Sequence, residues 1–267
     1  MISFAIILPF SIRDDWRTFA VKESTKMKNP PKAYEDIPFL NSEHCRPVRL
    51  QLEYLHPEVT MQKEKIVSTI VLFGSARIPA PENAAACENR KLAELTPFYE
   101  EARKLAQIVS TTCQTNHECE YVIITGGGGG VMEAGNRGAK EAGCKSVSLN
   151  ITLPHEQEAN PYVTEELCFQ FHYFSMRKMH FMLRAKAVCI FPGGFGTFDE
   201  LFEALTLIQT GKIKPMPVIL FGSDHWKRMV DWDYMAECGL ISPEDLNLLT
   251  FCDTAEDAWK AITAFYA

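Results

Sequence analysis

From Ile66 onward, short runs of β-branched residues alternate with longer stretches of helical periodicity, and this rhythm restricts the chain to few folds. The predicted strands are STIVLFG, YVIIT, SVSLN, LCFQF, AVCIF and MPVILF. Helices are predicted over residues 96–112, 131–142, 176–185, 198–210, 224–238 and 254–265. Each strand is apolar along nearly its whole length, which is typical of a parallel sheet covered by helices on both faces. The pattern therefore predicts an α/β fold, a Rossmann-like doubly wound parallel sheet.

The residues before this alternating region differ in pattern, so we predict an N-terminal extension over 1–65 and one main domain over 66–267. Prolines interrupt the extension, and the segment RPVRLQLEYL within it is predicted to be a short helix with a proline in its first turn. Val48, Leu52 and Leu55 would share one face of that helix. The extension is expected to pack on the main domain.

The chain begins with the apolar run MISFAIILPF, which has about half of the ~20 residues needed to span a bilayer. No positive charge precedes this run and no small-residue cleavage site follows it, so neither membrane association nor a secretory signal is expected. Residues 1–26 are expected to be poorly ordered, or to come from an over-extended reading of the gene, because Met27 offers an alternative start.

The formal net charge of −7 bears on the class of partner. Because a protein needs several Lys and Arg side chains to neutralise the phosphates of a polymer, the acidic balance argues against nucleic-acid binding. Nine cysteines are scattered without a Cys-x-x-Cys pair, which indicates reduced thiols and a cytoplasmic protein. Cys113, His117 and Cys119 could be metal ligands, but no fourth ligand is near, so we interpret them as loop residues and expect no metal.

Three glycine-containing junctions follow predicted strands, in the segments FGSAR, TGGGGGVMEAGNRGA and PGGFGTFDE. Ligands of such sheets bind outside the carboxyl ends of the strands, so the junctions are expected to meet at one edge. The run Gly126–Gly130, here called the glycine loop, cannot be helical, since each glycine costs about 1 kcal/mol in a helix interior. Its amides and the start of the next helix favour an anion, with close strand–helix packing as the alternative. No Gly-x-Gly-x-x-Gly or P-loop spacing occurs, which argues against a dinucleotide or a P-loop triphosphatase.

The third junction has two interpretations. Gly193, Gly194 and Gly196 free the backbone, and Thr197 places a hydroxyl at the start of a helix, as a phosphate site would require. The four residues from Thr197 to Glu200 also match a capping box, in which Glu200 would be structural. On spacing alone, both interpretations stay open.

The stretch YFSMRKMHFMLRAK places two cations at the start of another helix. Ser175 is predicted to be the N-cap, which puts Arg177 and Lys178 in a first turn where the helix dipole disfavours positive charge. Their presence indicates an anionic ligand, unless the side chains extend into solvent or pair with a surface carboxylate. If the strand order brings the two helices together, Arg177 faces Glu200 across a cleft.

The segments TGGGGGVMEAGNRGA, SMRK and PGGFGTFDE resemble the LOG (Lonely Guy) family, whose hallmarks are an Arg-Lys pair and the pattern Pro-Gly-Gly-x-Gly-Thr-x-x-Glu. The resemblance runs from about Thr69 to Phe221. RPVRLQLEYL, LPHEQEANPYV and FEALTLIQTGKI are similar to the longer bacterial branch. Members have often been labelled possible lysine decarboxylases, but decarboxylation would need a pyridoxal-phosphate lysine, and no separate site for that cofactor is apparent. No cofactor is therefore expected.

The resemblance implies a nucleoside 5′-monophosphate phosphoribohydrolase that cleaves the N-glycosidic bond of AMP or of N6-prenylated AMP, a cytokinin nucleotide. The products would be the free base and ribose 5-phosphate, and the main domain would be a nucleotide-binding catalytic domain. By the same resemblance Arg177 and Glu200 are the catalytic pair. The implied phosphate loop and the other predicted substrate contacts are Gly193, Gly194, Gly196, Thr197, Thr206, Gly74, Ser75, Gly127, Gly128, Gly129, Met132, Glu133 and Lys178.

Some assignments stay open in the sequence. Gly129 stands where this branch more usually has proline. Glu133 and Glu156 are secondary candidates for ribose or base contacts, with helix capping and surface exposure as the alternatives. Plain AMP, prenylated AMP and CMP cannot be distinguished. A homodimer or higher homo-oligomer is implied by resemblance alone.

A non-catalytic carrier of a nucleotide or of molybdenum cofactor on the same fold is the alternative function. A carrier needs the glycine junctions but not the Arg177–Glu200 pair, so that pair is the feature that favours an enzyme.

Overall fold

A computed structural model of the chain describes residues 29–114, 119–154 and 158–267. The predictions made for residues 1–26, for His117 and for Glu156 fall outside these ranges. The chain divides into two compact units, Met1–Cys45 and Arg46–Ala267. The predicted boundary after residue 65 stays a prediction. Among the described residues, no helix combines the length and apolar character needed to cross a bilayer.

The helices have bounds close to those predicted in the alternating region. In the first unit, α1 (Ile37–Leu40) is capped by the Asp36 side chain, and a 3₁₀ turn follows at Glu43–Cys45. The described part of the second unit contains α2 (Arg46–Lys63), α3 (Pro81–Ala84), α4 (Arg90–Ala93), α5 (Thr96–Cys113), α6 (Val131–Glu141), α7 (Phe174–Leu183), α8 (Phe195–Gln209), α9 (Ser223–Met229), α10 (Trp232–Glu237) and α11 (Ala255–Tyr266).

The described residues form seven strands in one parallel sheet. These strands are β1 (Thr69–Phe73), β2 (Val122–Thr125), β3 (Ser146–Ile151), β4 (Cys168–Phe171), β5 (Ala185–Ile190), β6 (Val218–Phe221) and β7 (Leu249–Cys252). Their order across the sheet is β4-β3-β2-β1-β5-β6-β7, and every pairing is parallel. From β1 the strands are added toward one edge of the sheet as far as β4, and β5 to β7 are then added on the other side of β1. Ligands of such sheets bind where the strand order changes in this way, so they are expected near the carboxyl ends of β1 and β5.

Two apolar cores lie on opposite faces of the sheet, as the continuous apolar strands predicted. Along β1, Ile70 and Leu72 enter one core, while Val71 and Phe73 enter the other. Successive strand residues point to opposite faces, so both faces must be covered. Helices α5, α6 and α11 cover the first face, and α2, α7, α8 and α9 contribute to the second. The predicted doubly wound α/β fold is confirmed.

Three features of the predicted elements were wrong. Strand β7 was not predicted at all. The helix predicted over 224–238 is interrupted, because the Asp231 side chain caps a new helix by accepting from Tyr234 N (3.0 Å). Helix α2 is an 18-residue helix rather than a short one, with Pro57 inside it.

The apolar face predicted on α2 is exposed rather than covered. Val48, Leu52 and Leu55 keep 43%, 51% and 49% of their surface accessible. The opposite side of α2 supplies Met61 to the core. The helix therefore packs on the rest of the second unit by its other face.

Candidate functional site

Ser75 joins the three predicted junctions at the carboxyl edge of the sheet. Its N–H donates to Pro192 O (3.0 Å), and its own carbonyl accepts from Val131 N (3.1 Å). Ser75 follows β1, Pro192 follows β5 and Val131 begins α6, so these two bonds link the ends of three segments. Gly74 permits this approach, because a Cβ there would lie 2.7 Å from Val131 Cγ2. The Ser75 hydroxyl accepts from Arg77 N (3.1 Å).

The glycine loop follows β2 and lies against two side chains of the candidate site. Gly127 and Gly130 have φ of +73° and +60°, conformations that L side chains rarely adopt. A Cβ on Gly126 would lie 2.6 Å from Nη2 of Arg177 and 2.7 Å from Sδ of Met132. The loop thus needs glycine partly for its own backbone and partly so that Arg177 and Met132 can approach it.

Arg177 is the fourth residue of α7 and extends across the end of β3. Its Nε donates to Leu149 O (2.9 Å), and its guanidinium carbon lies 5.3 Å from the centre of the Phe181 ring. Burial lowers the pKa of Arg177, while the negative charge of Glu200 acts in the opposite direction. Since a guanidinium stays protonated in proteins, Arg177 is a half-buried cation beside the glycine loop.

The N-cap predicted at Ser175 is wrong, because Tyr173 occupies that position without a side-chain cap of its own. The capping group comes from α2 instead. Glu53 Oε1 accepts from His172 N (2.8 Å), and Glu53 Oε2 accepts from Tyr173 N (3.2 Å). A carboxylate at a helix start is favourable because it faces the positive end of the helix dipole. Helix α2 therefore helps to hold the helix that carries Arg177.

The capping box, one of the two interpretations open for Thr197 and Glu200, is also wrong. Helix α8 begins at Phe195, with Gly194 at its N-cap, so Thr197 and Glu200 are its third and sixth residues. Glu200 points inward and keeps only 6% of its surface exposed. Its Oε2 has no hydrogen-bond partner within the described residues. A buried carboxylate oxygen without a partner is costly, and such groups need an explanation other than helix capping.

The environment of Glu200 shifts the pKa of its carboxyl group close to neutral pH. Burial raises the pKa of Glu200 from the ordinary 4.5 to about 7, and the positive charges of Lys178 and Arg177 only partly oppose this. Among the residues described, no ion pair of 4.0 Å or less joins Glu200 to Arg177, although each charge affects the pKa of the other. Carboxylates with strongly raised pKa values are typical of active sites.

Lys178 lies among three carboxylates of α8. Its Nζ is 2.8 Å from Asp199 Oδ2, 2.9 Å from Glu203 Oε2 and 4.0 Å from Glu200 Oε2. Burial alone would lower the pKa of Lys178, but the contacts with Asp199 and Glu203 raise it overall. Lys178 is thus paired with carboxylates of the protein, which was one alternative to an anionic ligand in the sequence analysis. Arg177 is the cation of SMRK that lies beside the glycine loop.

The turn between β5 and α8 combines close packing with open space. Gly193 packs on the Thr197 side chain, since a Cβ there would lie 2.6 Å from Thr197 Cβ. A Cβ on Gly194 or Gly196 would meet nothing within 4 Å, and Phe195 between them is 96% exposed. The first turn of an α-helix has N–H groups without intrahelical partners. This turn can therefore present amide donors and a helix start to an anion.

Two further predicted contacts lie apart from this arrangement. Glu133 accepts from the hydroxyl of Tyr99 (2.7 Å), a fully buried residue of α5, so its carboxylate already has a protein partner. Thr206 is exposed nearly two turns beyond Glu200, and its hydroxyl donates to Phe202 O (2.6 Å). Thr206 lines a surface cavity of about 650 Å³ with Lys178. A second cavity of about 670 Å³ also contains Lys178 but runs along α7 toward the start of β5.

Sequence reasoning missed the residues that hold the glycine loop. Asn160 is buried and donates its side-chain amide to the carbonyls of Gly127 (3.1 Å) and Gly128 (3.0 Å). Asn136, fully buried in α6, accepts from the same amide (2.9 Å). The sequence signal was weak, because Asn136 falls at the border between the apolar and the charged face of the predicted helix 131–142.

Comparison with known proteins gives one family match and one curated relative. The profile of a family described as “Possible lysine decarboxylase” matches residues 132–262. A protein of Mycobacterium tuberculosis named “Cytokinin riboside 5′-monophosphate phosphoribohydrolase” is 32% identical over 79 residues. That match covers 29% of this chain and 42% of the relative, so the chain spans less than half of the relative's length.

Solved structures of similar fold include two that handle molybdenum cofactor. A molybdenum cofactor binding protein from Rippkaea orientalis aligns with a TM-score of 0.49 and 19% identity, over 76% of this chain and 98% of that one. The molybdenum cofactor carrier protein of Chlamydomonas reinhardtii aligns with a TM-score of 0.46 and 20% identity, over 74% and 96%.

Proposed function

We propose that this chain, whose residues 132–262 match the family described as possible lysine decarboxylases, is a nucleoside 5′-monophosphate phosphoribohydrolase. Its substrate would be AMP or N6-prenyl-AMP, and its products the free base and ribose 5-phosphate. The name of the Mycobacterium tuberculosis relative supports this reaction class. The observation that carries the proposal is the buried Glu200, whose pKa is raised to about 7 and which lies in electrostatic reach of Arg177.

Cleavage of a ribosyl–nitrogen bond develops positive charge on the sugar. An ionised carboxylate facing the anomeric carbon stabilises that charge, and the stabilisation is stronger in a site from which water is excluded. Because Glu200 is buried, its ionised form is poorly solvated before the reaction and gains most when the sugar becomes positive. Glu200 is therefore proposed as the group beside the anomeric carbon.

The same carboxylate can take a proton from the attacking water. The water oxygen bonds to the anomeric carbon as the bond to the base breaks, and one water hydrogen stays on the new sugar hydroxyl. The proton taken by Glu200 passes to the departing base, which restores the carboxylate. A general base works best when its pKa lies near the working pH. The pKa of about 7 for Glu200 meets this condition, whereas an exposed glutamate would be a weak base.

Arg177 is proposed to bind the nucleotide. The bond from its Nε to Leu149 O and the contact with Phe181 fix the guanidinium beside the glycine loop. Its remaining N–H groups can donate to phosphate or ribose oxygens, and such fixed donors contribute through orientation of the substrate. The α8 start and the glycine loop would supply backbone amides to the same ligand.

The proposal is tested by incubating the protein with AMP, N6-prenyl-AMP and CMP and measuring free base and ribose 5-phosphate by chromatography. Wild-type protein is expected to release both products in equal amounts from at least one nucleotide. Glu200→Gln is expected to lower kcat by at least about 100-fold, since loss of a general base contributes on the order of 10² to 10⁴.

Glu203→Gln is a matched control, because it removes a carboxylate one turn away that also contacts Lys178. It is expected to retain most of the activity. If wild-type protein binds nucleotides but releases no base from any of them, the carrier function is the correct one. Full turnover by Glu200→Gln would instead reject the mechanism.

A further inference from the structure

The two central carbonyls of the glycine loop point at one buried side chain. The Nδ2 of Asn160 donates to Gly127 O (3.1 Å) and Gly128 O (3.0 Å), and the backbone N–H of Asn160 also donates to Gly127 O (2.9 Å). Asn160 keeps 6% of its surface exposed. Both carbonyls are therefore fixed toward the protein interior.

Fixing these carbonyls also fixes the amides on the other side of each peptide group. The described residues contain no cis peptide bond, and in a trans peptide the N–H points opposite to the C=O. The N–H groups of Gly128 and Gly129 therefore point away from Asn160. Within the described ranges, neither N–H donates to a protein acceptor. Two amides, one on the buried Gly128 and one on the half-buried Gly129, thus lack a protein acceptor in these ranges.

The orientation of Asn160 is itself determined by its neighbours. Asn136 Oδ1 is a third acceptor, 2.9 Å from the same Nδ2, so the two N–H groups of the amide are shared among three oxygens, and Asn160 Oδ1 accepts from Tyr162 N (3.1 Å). Asn136 Oδ1 also accepts from the Thr125 hydroxyl (2.8 Å), and Asn136 Nδ2 donates to Ser146 Oγ (2.9 Å). Each donor in this hydrogen-bond network meets an acceptor, so neither the Asn160 nor the Asn136 side-chain amide can be flipped without losing hydrogen bonds.

Thr125, at the end of the network farthest from Asn160, also contacts the glycine loop. Thr125 Oγ1 accepts from Gly127 N (3.0 Å), so the Thr125 hydroxyl holds the Gly127 amide inward while Asn160 holds the carbonyls. Separate hydrogen bonds therefore fix which groups of the loop backbone point toward the protein interior and which point away from it. A loop of consecutive glycines has no side chains that could impose this conformation, so the constraint comes from Asn160, Asn136 and Thr125.

We infer that Asn160 is a positioning residue that aims the Gly128 and Gly129 amides at the ribose 5-phosphate part of the substrate. The phosphate and ribose oxygens are the acceptors that two such donors require, whereas a hydrophobic prenyl group offers none. Asn136 and Thr125 act through Asn160 and touch no substrate. This inference rests on the proposed function for the identity of the ligand.

The test measures binding without turnover. The dissociation constant of ribose 5-phosphate is determined by calorimetry for wild type, Asn160→Ala and Thr125→Val, and inhibition by adenine is measured beside it. Asn160→Ala is expected to weaken ribose 5-phosphate binding about tenfold, the effect of about one hydrogen bond. Thr125→Val is expected to act in the same direction with a smaller effect. Adenine inhibition is expected to stay unchanged in both.

Ser110→Ala is the matched control, because Ser110 is fully buried and its hydroxyl has no partner within the described residues. It is expected to bind ribose 5-phosphate like wild type. Wild-type affinity in folded Asn160→Ala and Thr125→Val, or equal losses for ribose 5-phosphate and adenine, would overturn the inference. If Asn160→Ala does not fold, Thr125→Val decides alone. Hydrolysis of AMP by wild type with no effect in either variant refutes this inference and leaves the proposed function intact.

Discussion

Glu200→Gln is expected to stabilise the folded chain at pH 8. Folding raises the pKa of Glu200 from 4.5 to about 7, so between these values the folded state binds a proton that the unfolded state has released. Stability is therefore lost as the pH rises through 4.5, and the loss is complete just above pH 7. At about 1.4 kcal/mol per pH unit, the ionised carboxylate destabilises the fold by about 3 kcal/mol. Glutamine has nearly the same size and cannot ionise, so the variant avoids this loss.

Urea unfolding at pH 5 and pH 8, at one protein concentration, measures the effect. The variant is expected to exceed wild type by about 3 kcal/mol at pH 8 and by less than about 1 kcal/mol at pH 5. Asp199→Asn serves as the control, since Asp199 contacts the same lysine but is exposed. It is expected to change stability by less than about 1 kcal/mol at either pH. Equal stability of wild type and Glu200→Gln at pH 8 would refute the argument from burial.

Three other outcomes follow from the same geometry. The kcat/KM of wild type is expected to rise with pH and to level off above about 7 as Glu200 ionises; a profile that falls through this range would contradict the role of the ionised form. Gly126→Ala is expected to displace Arg177 and lower kcat by about 100-fold with little change in Tm, because the displaced atoms end a flexible side chain. Glu53→Ala is expected to lower the free energy of unfolding by about 1 kcal/mol, measured in urea, through loss of the cap on α7.

Most of the sheet could be predicted from the sequence because its strands are buried on both faces. Residues of β1, β2 and β6 are buried throughout, so the apolar runs are continuous. Strand β7 lies at the edge of the sheet and is only half-buried over Leu249–Phe251. Its four residues, LTFC, therefore give no clear periodic signal. The interruption between α9 and α10 depends on one side-chain hydrogen bond of Asp231, which helical periodicity cannot show.

The residue types of the candidate site could be predicted, but their environments could not. Gly194 and Thr197 both satisfy the rules for a helix start, and the structure selects Gly194, whose carbonyl accepts from Thr197 N and Phe198 N. That shift of three residues moves Glu200 from a cap into the buried side of α8. Burial of this kind arises from packing against the sheet, so no local pattern contains it. The pairing of Lys178 with α8 depends in the same way on which helices become neighbours.

A crystal structure of Glu200→Gln with bound AMP would locate the sugar of the nucleotide relative to the proposed catalytic pair. The anomeric carbon is expected to lie about 3.5 Å from the side chain of residue 200, the separation expected of reacting groups. Arg177 is expected to contact the same nucleotide. A nucleotide bound with its ribose on the far side of the glycine loop, out of reach of residue 200, would show that Glu200 does not act on the glycosidic bond.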